Sequence, residues 1–206
     1  MGLFGFFKKK ETKQRLLPEE IELQERVKKH DDILSAKNEA ESRYKETGNL
    51  EEYLDFYREL TKDSSCFEIG GSWIFNYPET IIKEKLYDEA WGILNLIYIH
   101  MPQKRGRVSD LRYKILKTEN KNHKDAIYHL MASTLFLFDG VVDKAKFAQD
   151  EKPKFLKKAS PLAKKAGFTQ QNIEYCYYLI ECEAMNKKIS DNRLDAAYKK
   201  FLKEIF

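Results

Sequence analysis

The side chains able to do chemistry are few, and their spacing is poor for it. Three cysteines (Cys66, Cys176, Cys182) and four histidines (His30, His100, His123, His129) stand among 206 residues. Cys176 and Cys182 lie six apart, as do His123 and His129. On a helix that is about 600°, which turns the two members of each pair to different sides. Zinc sites use C-x2-4-C or H-x3-5-H spacing, so the sequence predicts no metal and no cofactor. An odd, sparse cysteine count reads as reduced thiols in a cytoplasmic protein. A nucleophilic pair can be drawn between His129 and Cys176, but so few groups give such a pair by chance. The carboxylates Asp31-Asp32 and Glu51-Glu52 are adjacent, hence about 100° apart on a helix, and face solvent as readily as a cleft. No Gly-rich phosphate loop, G-x-S-x-G elbow, H-E-x-x-H or D-x-D loop occurs. The expectation is a protein with no catalytic residues.

Charge is more telling than its total. The net +4 is carried by residues 1–17, with five basic residues and one acid. From Pro18 to Gln103 there are 10 basic against 19 acidic residues, net −9; from Lys104 to Phe206 there are 22 against 13, net +9. A chain polarised in this way steers its partners. Two basic islands stand in the second half, one from Lys104 to Lys117 and one from Lys152 to Lys165. They support a second reading, a nucleic-acid-associated helical module that uses the basic C-terminal half. A solvated helix surface laced with i,i+4 pairs is the commoner outcome, which makes nucleic acid the less favoured partner.

Residues 1–17 form a separate flexible, amphipathic and basic tail, with one domain expected over 18–206. Leu3, Phe4, Phe6 and Phe7 precede Lys8, Lys9 and Lys10, the pattern of a membrane-surface foot. Aromatic rings would enter the interface, and each lysine adds about 1 kcal/mol beside anionic headgroups. Phe6 stands where N-myristoylation needs Ser or Thr, and the apolar stretch is too short for a secretory signal. The alternatives for this segment are a disordered terminus or phenylalanines docked on the protein's own surface.

The elements that must position any site are helical. Pro18 and the following acids suit a first turn, and Leu23, Val27, Leu34, Ala40 and Tyr44 keep a helical stripe as far as Gly48. Asn49 starts a second helix over Leu50 to Leu60. Ser64 to Tyr77 reads as a packed loop or broken turn, followed by a short helix from Pro78 and longer ones over Tyr87–His100, Val108–Glu119 and His123–Phe138. Lys144 to Lys158 reads as short irregular helix. Ser160-Pro161 then caps a brief helix closed by Gly167, and Thr169 and Ser190 cap the last two. The longest apolar runs, Gly92 to Tyr98 and Leu130 to Phe138, fall far short of the roughly 18 residues of a membrane span. The class is all-α.

Tyr87-x2-Ala90-x3-Leu94-x2-Ile97-x4-Pro102 resembles the second half of a tetratricopeptide (TPR) repeat. Tyr44-x3-Gly48-x-Leu50-x2-Tyr53-x3-Tyr57-x2-Leu60 resembles the turn between the two helices of another unit, and Lys114 to Leu130 is a weaker third echo. Tyr53, Ala90 and Ala126 are spaced 37 and 36 apart, near the family period of about 34. The resemblance covers residues 36–137. It implies a right-handed stack of helical hairpins, with an irregular antiparallel bundle as the alternative. It also implies a non-catalytic adaptor that binds another protein or peptide in a groove lined near Asn38, Ser42, Lys45, Phe75 and Glu79. The aromatics from Tyr53 to Trp91 should mostly fill core, with a fraction left to carry binding.

Overall fold

A computed structural model describes residues 17–69, 71–187 and 196–200. Everything regular in it is helical, so the chain is all-α. The first helix, α1 (Pro18–Thr47), starts where proline loses no hydrogen bond and where the Glu20 carboxylate accepts from Leu17 N–H at 2.7 Å. It ends at Gly48, whose φ of 68° is left-handed and whose N–H donates to Tyr44 O. Asn49 Oδ1 then accepts from Glu52 N and opens α2 (Leu50–Leu60).

The stretch read as a broken turn holds one short helix, α3 (Ser65–Ile69), and a 3-10 turn (Ser72–Phe75). The latter leads into α4 (Asn76–Lys83), which starts two residues before Pro78. After it come α5 (Tyr87–His100), α6 (Arg105–Glu119) and α7 (His123–Phe136). The sequence reading breaks the next stretch at Ser160-Pro161; the structure instead carries one helix, α8 (Lys144–Ala163), through both Pro153 and Pro161. An interior proline costs about 3 kcal/mol, but Ala148, Glu151, Phe155, Ala159 and Leu162 recur at helical spacing and are all buried. Burial of that stripe outweighs the lost backbone bonds. Thr169 caps α9 (Gln170–Ala184) reciprocally with Asn172, as its sequence position predicts.

The packing divides at Leu60 into two compact units. In the first, α2 lies along the C-terminal part of α1. The Tyr44 and Tyr53 rings are 4.8 Å apart, and Lys37 Nζ stands 3.0 Å from Glu41, which accepts from Tyr57 Oη at 3.1 Å. Burial, with the Glu41 charge adding to it, pushes the Tyr57 hydroxyl well above its ordinary pKa.

In the second unit each helix from α4 to α9 packs on the next, and α7 also meets α9. The core runs through Ile127, Leu130, Met131, Phe155, Ile173, Tyr177 and Ile180, each worth about 1.5–3 kcal/mol when buried. Tyr177 Oη donates to the carbonyl of Ala148 at 2.7 Å. Lys144 Nζ reaches the carbonyl of Ala184 and closes the far end of α9.

Candidate functional site

In the first unit α1 is much the longer helix. Its 30 residues span about 45 Å, against about 16 Å for the 11 of α2. The helix therefore runs well beyond α2, and its N-terminal half carries exposed Ile21, Leu23 and Val27, between 45% and 62% accessible, with exposed Leu17 just before it. Along one flank of the pair runs a trough. Its larger part, about 400 Å³ and open to solvent, is lined by Ile33 and Ala36 from α1 with Phe56 and Leu60 from α2. Glu25, Lys28, Lys29 and Asp32 stand at its charged edge. A second depression of about 200 Å³ shares Ala36 and Phe56 and continues past Ala40 to Arg43 and Glu52. Arg43 is bonded there to Glu39 and Glu52. From Glu25 to Arg43 the trough follows about 27 Å of α1, five helical turns.

The groove residues expected from the resemblance fall elsewhere. Asn38, Ser42 and Lys45 recur at i, i+4, i+7 and form one exposed face of α1. At 100° per residue that face lies on the far side of the helix from Ala36. Asn38 accepts from Lys37 Nζ, and Ser42 donates to Glu46. Phe75 is 5% exposed and belongs to the interior. Glu79, on α4, is half-buried and paired with Arg107. The membrane-surface residues Leu3, Phe4, Phe6, Phe7, Lys8, Lys9 and Lys10 lie outside the described residues.

Ile33, Ala36 and Ala40 escaped the sequence reading of the groove. Their i, i+3, i+7 spacing carried the signal, since apolar residues on an otherwise charged helix mark a face that meets something. Of the central aromatics, Tyr53, Tyr57, Phe67 and Tyr77 are buried, while Phe56, Trp73 and Trp91 are half-buried.

The His129 and Cys176 pair drawn from the sequence is shifted away from its charged forms. Burial pushes the Cys176 thiol up to about 12. Burial, aided by the nearby Arg112 charge, pushes His129 down to about 3. A thiolate–imidazolium pair needs both shifts reversed. Among the described residues no three His, Cys, Asp or Glu side chains gather as metal ligands do, and no helix is long and apolar enough to cross a membrane. Several cations of the basic islands have acidic partners: Arg107 and Lys114 meet Asp110, and Lys154 meets Glu151. Comparison with models of protein families, with curated proteins and with solved structures finds no match for this chain.

Proposed function

We propose that this chain is a non-catalytic adaptor that binds another protein through helical surfaces of the kind a TPR-like stack of hairpins offers, and that it works in the cytoplasm. The observation that supports this reading is the trough on α1 and α2, whose apolar lining of Ile33, Ala36, Phe56 and Leu60 is edged by charges of both signs. An open, elongated, apolar-lined depression suits an amphipathic helix, which lays one stripe into it and sets its polar flanks against the charged edges. Two small residues, Ala36 and Ala40, leave room for a partner backbone to come close. The mixed edge, with Glu25 and Asp32 beside Lys28 and Lys29, favours a partner that also carries both charges. Residues 1–10 add a weak, reversible hold on anionic membrane, which keeps the adaptor near a surface without fixing it there.

The test is affinity co-purification of the full chain and of two variants, Phe56→Asp in the trough and Ser42→Asp on the opposite face. The reading predicts a partner retained by the wild type and by Ser42→Asp and lost with Phe56→Asp, with helicity unchanged in all three. Equal retention by the two variants refutes the trough. Sedimentation with anionic vesicles, with and without residues 1–13, tests the membrane hold; unchanged sedimentation removes it from the reading.

A further inference from the structure

The second unit contains an arginine in an unusual position. Arg112 on α6 is 4% exposed, and among the described residues no carboxylate pairs with it. Its guanidinium lies along one face of α5, where Trp91, Asn95 and Tyr98 recur at i, i+4, i+7. The guanidinium carbon is 5.1 Å from the centre of the Trp91 ring and 4.9 Å from that of Tyr98. Nη2 donates to Asn95 Oδ1 at 2.5 Å. Nε is buried and has no hydrogen-bond partner. One turn earlier on the same side of α6, the Ser109 hydroxyl is also buried and also has none. His129 on α7 stands beside the cluster, its ring 5.8 Å from that of Trp91.

Two aromatic faces stabilise the cation, but they do nothing for its in-plane N–H groups. Buried donors are ordinarily satisfied, and buried charges are ordinarily paired. Here two donors, Arg112 Nε and Ser109 Oγ, are left over within one helical turn, and no carboxylate among the described residues pairs with the positive charge. The in-plane edge of a guanidinium is the geometry that accepts a carboxylate or phosphate oxygen. Asn95 occupies part of that edge from an exposed position on α5. His129, neutral at pH 7, adds no competing charge.

We propose that Arg112, with Ser109 and the aromatic residues Trp91 and Tyr98, forms a binding site for the oxyanion of a small ligand, a carboxylate or a phosphate. The site admits the anion when Asn95 turns outward, and the Nε–H and the Ser109 hydroxyl donate to it. It lies in the second unit and is independent of the trough, so either can fail without the other.

The test is NMR of the arginine Nε–H groups of the full 15N-labelled chain at pH 7 and constant ionic strength. Sodium acetate and sodium phosphate are titrated in separate arms, against sodium chloride. The expected result is a saturable shift of a single signal in at least one arm, with a Kd of about 1 mM or tighter. That signal is absent from Arg112→Lys, which identifies it. Asn95→Ala, at an exposed position, is expected to tighten binding severalfold by uncovering the edge. The arm that responds separates carboxylate from phosphate. No saturable shift with either anion in the wild type and in Asn95→Ala overturns the proposal, as does a shift equal to that given by chloride. The deciding titrations, of the wild type and of Asn95→Ala, use chains with Arg112 in place; Arg112→Lys serves only to assign the signal.

Discussion

Replacing glycine by alanine at two helical positions should move stability in opposite directions. Gly106 lies in the first turn of α6, where a Cβ would stand 2.6 Å from Phe136 Cβ and 3.0 Å from its Cγ on α7. Phe136 Cβ is fixed to the backbone, so no rotamer change relieves the clash and the two helices must separate. Overpacking of this kind costs typically 1–3 kcal/mol, with the upper end appropriate here. Alanine returns at most about 1 kcal/mol in helix propensity. The net loss for Gly106→Ala is about 2 kcal/mol, or about 4–8 °C in Tm for a chain of this size. Gly92 is the control. It lies inside α5, is exposed, and a Cβ there would meet nothing within 4 Å, so Gly92→Ala should gain about 1 kcal/mol. Thermal and urea unfolding of both variants measure the pair. A Gly106→Ala protein as stable as the wild type would refute the close approach of α6 and α7, and a destabilised Gly92→Ala would refute the open surface at α5.

Further outcomes follow from single residues. Lys85 holds a left-handed φ of 62°, so Lys85→Gly should stabilise by about 0.5–1 kcal/mol, the relief of side-chain strain exceeding the entropy lost; urea midpoints check it. His129 is neutral in the folded state down to about pH 3, against an unfolded value of 6.5. Its contribution is therefore complete above pH 6.5 and falls as pH drops from there towards 3, by about 1.4 kcal/mol per unit or roughly 2 kcal/mol at pH 5. His129→Gln should flatten the acid limb of a stability–pH curve over that window. Tyr177→Phe removes the buried bond to the Ala148 carbonyl and should cost about 1–2 kcal/mol in chemical unfolding without changing helicity.

Much of the architecture was legible because it is written locally. The reading of α5 as Tyr87–His100 is met at both ends, since an apolar run between a loop and a proline has no other helical phase. Gly48 and Thr169 mark termini because left-handed φ and side-chain capping are properties of single residues. The continuation of α8 through Ser160-Pro161 was hidden, because what carries it is the packing of Ala159, Leu162 and Ala163 in the core. The direction from which α2 approaches α1 was also hidden. It places the trough beside Ala36 rather than at Asn38, Ser42 and Lys45, and the TPR resemblance supplied a face where the α1 stripe of Ile33, Ala36 and Ala40 supplied another. Arg112 read as one more member of a basic island. Its phase with Val108, Leu111 and Ile115 already placed it on the inward face of α6, a case where periodicity says more than charge.

The claim on which the functional reading rests is that a partner lies along α1 on the side of Ala36. A photo-crosslinking amino acid placed singly at Ala36 and at Ser42 in the full chain, with the co-purified partner bound, tests it directly. The account predicts a covalent adduct to the partner from position 36 and none from position 42. Crosslinking from 42 alone, or equally from both, would contradict it.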